Sequence, residues 1–557
     1  MADRMQVLSI PCRGGLNTSS NNHELLAKPG EAIDLVNFEC SKEGGYRRIN
    51  GYELLTAEVP IDFSYAEAGN ETYVKGVINY KGVLAARGNG VYHTVNNTTW
   101  TQVNRTMNNV PIGSVGAAPI VPRPSGVRYM FARHYYNNKE YIYMVDGVNL
   151  PAVFSISDTG LYRYATFNGD NVSNPLMGAK YCTFFKNQLV LAGMTKSPTS
   201  IFYSSSANSD LILPEDSGKE TPQENFNGAT AGSLDLGDVV TGIMVHRETL
   251  YVFCEHSIFK VQGLESGEVI SVPVTRDIGC VDGFTIQEVG GDLVFLAPDG
   301  LRTIAKTERL DDIELGVISR KAGELLSPRV RQANRYLFSS TVIREKNQYR
   351  IWFTDLENPL GAQRGMIAAF TYIAETGAFE WAFSELSGFG SLCNDNGYHN
   401  GAERIIGANH EEPYVMLHEK GFLFNGEPID YVCQLVYSDY GQLGVRKTLH
   451  KVLMNSRAEG NVEAGLEVRY DYNGKDVFQP DIYPLERMTL PAIFGKTASV
   501  FGDPIVLFGA ATYGDTDVYT EGSGFTVSLR VRPLKTIPDA SFDIQSFHID
   551  LTTGGKI

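Results

Sequence analysis

The sequence predicts an all-β protein: a β-propeller of about seven blades, with six to eight allowed, followed by a C-terminal β-sandwich and preceded by an extended N-terminal arm. Three observations carry this. One unit, a short apolar strand, a tight turn and a second apolar strand, recurs seven times between residues 83 and 424. Its turns carry Asn89-Gly90, Asp146-Gly147, Asp299-Gly300 and Lys420-Gly421, pairs that supply the positive φ of a tight hairpin. Beyond Glu427 the short period stops and longer strands take over. Hairpins recurring every ~45–60 residues are the pattern of propeller blades.

Residues 1–60 form the arm. Gly14-Gly15 and Gly44-Gly45 punctuate it, and Pro29-Gly30 separates two candidate helical turns, residues 24–27 and 31–38. Its apolar surface is too small to fold alone, so it packs onto the body or onto a neighbouring subunit. Residues 61–426 hold the propeller. The clearest hairpins are 83–94, 141–149, 250–261, 293–304 and 414–424; looser copies pair 189–192 with 201–203 and 349–353 with 367–372. Most follow an earlier strand, such as 76–80, 242–245 or 284–286. The longest irregular insertion, residues 208–232, is polar and acidic, and such lengths inside a compact domain are usually functional or mobile. Residues 427–557 form the sandwich, with strands expected at 431–437, 462–472, 504–508, 525–531 and 542–551. There apolar and charged residues alternate, as in antiparallel sheets with one wet face. The best short helix candidate is 319–326.

The bulk numbers exclude several classes. At 557 residues the chain exceeds one small core. A formal charge of −16 runs against a protein that grips phosphates with Lys and Arg. The seven cysteines lack any CxxC pair, which predicts reduced thiols rather than a disulfide framework. Met1-Ala2-Asp3-Arg4 opens no apolar leader, and no run approaches a membrane span. These readings predict a protein made and folded in a cytoplasm.

Catalytic and metal motifs are missing. There is no HExxH, Cys/His cluster, G-x-S-x-G elbow, GxGxxG or GxxxxGK[ST]. His93, His134 and His256 fall in or beside hairpins, where structural roles are expected, and Asp311-Asp312-Ile313-Glu314 lacks calcium-loop spacing. A carboxylate pair meeting at a propeller's central channel would suit a glycosidase, and 64 Asp and Glu leave that open. The reading is of no catalytic residue, metal or cofactor. The alternative is an adhesion or carbohydrate-processing propeller with its channel as ligand site. Scaffold propellers form a third class, but the Gly-His and Trp-Asp marks of common repeats are lacking.

One stretch is more specific. It runs Gly14-Gly15-Leu16, then Pro29-Gly30-Glu31-Ala32 with Asn37 beyond, then Gly44-Gly45-Tyr46-Arg47-Arg48 leading to Gly51-Tyr52. This resembles the opening of β-propeller tail proteins of short-tailed bacteriophages, the nozzle or DNA-stabilisation proteins beneath portal and adaptor. Residues 231–263, 278–302 and the closing 542–555 are similar too. The resemblance implies a structural virion protein: a homo-oligomeric ring, most commonly a hexamer, that retains the packaged genome and conducts double-stranded DNA during ejection without tight binding. Its implied partners are adaptor or portal proteins and tail fibre or tip proteins, and its place is the virion tail. In so acidic a protein Arg47 and Arg48 become candidate subunit contacts. Glu215, Asp216, Glu220 and Glu224, in the acidic insertion, become candidates for a loop gating the channel.

Overall fold

The computed structural model describes residues 5–61 (without 27, 42 and 43), 73–102 (without 89), 105–107, 110–111, 127–154 (without 137, 138 and 150), 162–163, 175–204, 226, 230–264, 268–305, 316–358, 363–373, 378–410, 412–459, 462–485, 514–534 and 540–556. These form a β-propeller joined to a β-sandwich.

Five blades are separate sheets. Blade 1 begins with Val74–Asn79, blade 2 is built on Met130–Tyr136, and blade 3 begins with Tyr181–Phe185. Blade 4 begins with Val240–His246 and blade 5 with Gln287–Val289. Blade 6, Tyr336–Ile343 to Ala378–Ser387, is continuous with a sandwich sheet. Blade 7 contains Cys393–His399, Ala402–Ala408 and Met416–His418, with the N-terminal strand Tyr52–Leu54 inserted next to Met416–His418 and followed by Leu423–Phe424.

A separate apolar cluster fills each seam. Ile78, Leu84 and Ile142 join blades 1 and 2, while Tyr143 and Leu191 join 2 and 3. Val190 and Ile243 join 3 and 4, and Phe253 and Phe295 join 4 and 5. Leu296 and Tyr349 join 5 and 6, and Trp352 and Met416 join 6 and 7. Val77 and Ile406 close 7 onto 1. Burying a side chain of this size is worth about 1.5–3 kcal/mol, so the ring is held by many modest seams. Polar bonds add direction at closure: Asn79 N–H donates to Asp395 at 2.8 Å.

The sandwich encloses its own core, including Phe38, Tyr46, Leu466, Val531 and Phe547. One sheet runs through Phe38–Cys40, Tyr46–Arg48, Phe542–Lys556, Val445–Ala458 and Gly514–Tyr519, with Met5–Pro11 also on Phe542–Lys556. The other continues from blade 6 through Ala32–Val36, Val432–Leu435, Val527–Pro533 and Ala464–Tyr470. The N-terminal segment therefore packs onto its own chain, supplying strands to both sheets.

Four local expectations need correction. Residues 31–38 are a strand, Ala32–Val36, because pairing on both sides overrides a weak helical pattern. Residues 284–286 belong to a 3-10 turn, Gly283–Thr285, with the Asp282 carboxylate accepting from Phe284 N–H. In the first hairpin it is Gly88, with φ of 59°, that takes the positive backbone angle, while Gly90 opens the next strand. The 414–424 hairpin is split: Tyr52–Leu54 lies between Met416–His418 and Leu423–Phe424, antiparallel to one and parallel to the other. The short helix appears as Gly323–Val330. The strand expected at 504–508 lies outside the described residues.

Candidate functional site

The three glycine-marked pieces of the N-terminal motif meet at one hydroxyl. Tyr46 is fully buried, and its oxygen lies 2.7 Å from both Arg13 O and Gly30 O, either of which can receive its proton. It accepts from Gly15 N–H at 3.2 Å. Gly15 has φ of 70°, and a Cβ there would lie 2.7 Å from the Phe383 backbone in blade 6. Only glycine suits both the angle and the approach. Asn37, at φ of 56°, uses its whole amide at the same junction. It donates to Ser387 O at 2.9 Å and Asp430 O at 2.7 Å, and accepts from Ser387 N–H at 3.0 Å.

A buried charge cluster lies behind this junction. Glu39 accepts from Lys346 at 2.7 Å, Arg350 at 3.1 Å and Gln348 at 3.1 Å. Arg350 reaches Glu419 of blade 7 at 2.7 Å, and Lys346 also bonds Glu419. Burial alone would raise the Glu419 carboxyl, but Arg350 and Lys346 outweigh it and hold the group down to about 2. His418 is pushed down to about 4 by burial, with the Arg350 charge adding to it, so it stays neutral at pH 7. Two carboxylates thus balance two cations between the N-terminal segment and blades 6 and 7. Such groups are tolerated inside only when paired.

Near one end of the propeller axis a second ion pair crosses the ring. Arg128, leading into blade 2, meets Asp282 before blade 5 at 2.6 Å and also donates to Phe338 O in blade 6. Its guanidinium lies 3.9 Å from the Phe284 ring centroid. Blades 2 and 5 stand nearly opposite in a seven-membered ring, so this pair bridges across it. The channel proposed as a ligand site in the alternative reading is crossed there. Sequence reasoning missed this pair, since nothing local links residues 154 positions apart.

The two candidate subunit-contact arginines are engaged within the chain. Arg48 is fully buried and donates to Ala540 O at 3.2 Å and Phe422 O at 3.3 Å, leaving it no outer surface for a second subunit. This corrects the expectation for Arg48, whose guanidinium is held by carbonyls of the sandwich and blade 7. Arg47 pairs with Glu459 at 2.6 Å, and both are partly exposed. The candidate gate residues Glu215, Asp216, Glu220 and Glu224 lie outside the described residues, as do Asp311, Asp312 and Glu314.

Several other titratable groups have structural roles. All seven cysteines are free and buried; burial pushes Cys40 and Cys280 up to about 12, far from a reactive thiolate. His93 lies 3.0 Å from Tyr80 O, and His134 stacks on Phe184 at 4.2 Å. Among the described residues, Asp238, Glu255 and His256 come close enough to share a cation. Asp238, however, already accepts from Val239 N–H, His256 N–H and the Ser257 hydroxyl, as a turn cap does.

Fold and junction together define a β-propeller welded to a β-sandwich built from both chain ends. No family model matches the chain, and no curated protein matches its sequence. Among solved structures, Hsv2 of Kluyveromyces lactis is 9% identical, with 57% of this chain and 83% of that one covered and a TM-score of 0.28. A Bacillus subtilis glycoside hydrolase family 43 arabinoxylan arabinofuranohydrolase is 11% identical, with 97% and 98% covered and a TM-score of 0.23. Likeness of this degree carries no argument about activity; the propeller is read from the chain's own sheets.

Proposed function

We propose that this chain is a structural subunit of a short-tailed phage tail nozzle, a ring of about six copies that retains a packaged genome and conducts double-stranded DNA during ejection. The observation that supports it most is where the motif behind the resemblance lies. Gly15, Gly30, Asn37, Tyr46 and Arg48 all serve the joint between propeller and sandwich. A joint fastened by buried hydrogen bonds and a balanced charge cluster suits a part that bears load. Because Arg128 and Asp282 cross the propeller axis, the DNA path in this reading runs between copies. A chain carrying −16 repels phosphates from such a wall, over about 8–10 Å at physiological salt, so the duplex slides without sticking. Adaptor or portal above and tail fibre or tip proteins below are the partners this reading requires.

Negative-stain microscopy of the purified protein tests it. Rings with an axial opening are the expected result, with weak duplex binding even at low salt. A monomer at all concentrations, or tight salt-sensitive DNA binding, would overturn it.

A further inference from the structure

The N-terminal strand leaves one edge of the sandwich open. Met5–Pro11 pairs with Phe542–Lys556 in an unbroken antiparallel register, from Met5 opposite Thr552 to Pro11 opposite Ser546. Cys12 N–H continues the ladder by donating to Gln545 O at 2.9 Å. Hydrogen bonding alternates along such a pair. Ile10, Leu8 and Gln6 therefore turn their backbone groups toward Phe542–Lys556, and Ser9, Val7 and Met5 turn theirs away. No strand among the described residues pairs with that outer edge. The open stretch ends at Pro11, because a Cβ on Gly30 would run into the Pro11 carbonyl.

Free sheet edges are usually protected by a charge, a proline or a bulge. Met5-Gln6-Val7-Leu8-Ser9-Ile10 carries no charge and no proline, and its register does not shift. The inward side is anchored, with Ile10 buried in the sandwich core and Leu8 packed against it. The residues whose backbone groups face outward also hold their side chains in solvent: Met5 is 59% and Val7 67% exposed.

We propose that this edge pairs with the same edge of a second copy of the chain, antiparallel, about a two-fold axis at Val7. That axis sets Val7 against Val7 of the partner subunit and Met5 against Ser9 of the partner subunit. Every member of these pairs has an outward N–H and C=O, so each pair exchanges two hydrogen bonds. An axis at Gln6 or Leu8 would engage only two of the three outward-facing residues. Charge favours a second copy at this place. Each chain carries −16, so two copies repel over most of their surfaces, and an uncharged strand lets them meet without setting like charges opposite. The contact does not rest on the ring reading: a two-fold closes on itself, so it joins two free subunits or two whole rings.

Hydrogen exchange of the full chain at low and high concentration tests it, with particle mass measured by analytical ultracentrifugation. The amides of Met5, Val7 and Ser9 should exchange freely in dilute protein and become protected toward about 100 μM, a range suited to a small interface. Those of Gln6, Leu8 and Ile10 should stay protected throughout. The mass should double over the same range, from one subunit to two or from one ring to two. Val7→Lys opposes two cations at the axis, while Asp550, its cross-strand neighbour, accommodates the lysine within one copy. It should leave the melting temperature unchanged and abolish the doubling. Single rings whose Met5, Val7 and Ser9 amides exchange freely at every concentration overturn this proposal alone, whereas a lasting monomer overturns it together with the ring. Doubling that survives Val7→Lys also overturns it.

Discussion

Replacing Arg350 by Met removes one of four balanced charges and leaves Glu39 and Glu419 facing Lys346 alone. Arg350 is only 2% exposed and Glu39 3%, so water cannot fill the role of the lost guanidinium. The change breaks contacts of 3.1 Å to Glu39 and 2.7 Å to Glu419. At an effective dielectric of about 20, each such pair is worth roughly 4 kcal/mol before desolvation is counted. Relief from burying the guanidinium returns part of that, and breaking a buried pair costs about 3–5 kcal/mol net. Urea unfolding followed by tryptophan emission measures it, since Trp352 is fully buried two positions along the same strand. The double variant Glu39→Gln with Arg350→Met restores charge balance and should cost less than the sum of the singles by about 1–3 kcal/mol. Acid supplies a further check. Glu419 is held below its ordinary value, so its contribution is present above about pH 4.5 and is lost as pH falls toward 2. The gap between wild type and Arg350→Met should therefore narrow below pH 4.5. A cost under about 1 kcal/mol, the level of exposed pairs, would refute the reasoning.

Asp543 gives the opposite pH dependence. Burial lifts its carboxyl to about 6 despite the nearby Arg47 charge, so ionising it destabilises the fold as pH rises from about 4 through 6. Asp543→Asn should gain stability relative to wild type across that window, on the order of 3 kcal/mol by pH 7; a difference that stays flat with pH would count against this. Asn37→Ala deletes three hydrogen bonds at a backbone angle that Asn tolerates better than Ala, and should cost about 2–4 kcal/mol by chemical denaturation. Deleting residues 1–50 strips strands from both sandwich sheets, and limited proteolysis should then cut residues 430–556 readily; a protease-resistant truncated chain would contradict the proposed weld.

What was legible in the sequence followed from local periodicity. The hairpins, the sandwich after Glu427 and the buried thiols all depend on residues a few positions apart. The 14-residue strand Val445–Ala458 was missed because its register shifts at three places, between Val445 and Arg446, Leu449 and Lys451, and Asn455 and Ser456. Each shift resets the alternation that marks a strand. The Arg128–Asp282 bridge and the Glu39 cluster escaped for another reason. Their members sit singly on distant segments, and only the closed ring brings them together. The resemblance drew attention to Arg48 but suggested the wrong surroundings, since an arginine inside one chain and one between two chains look alike in sequence.

The pairing of the two chain ends sets a schedule for biosynthesis. Met5 pairs with Thr552, and Tyr52 waits for His418. At about 5–20 residues per second, the first strands stand without partners for roughly half a minute or longer after leaving the ribosome. Through that interval blades 1 to 6 can form seams with one another, but the ring stays open until the strands of blade 7, residues 393–418, are made. Unpaired strand edges are sites for wrong pairing, and when several copies are made on one message the nearest loose strand belongs to a sister chain. A nascent chain of this design keeps those edges open until residues 542–556 are made, and a translational pause between residues 430 and 556 prolongs the exposure.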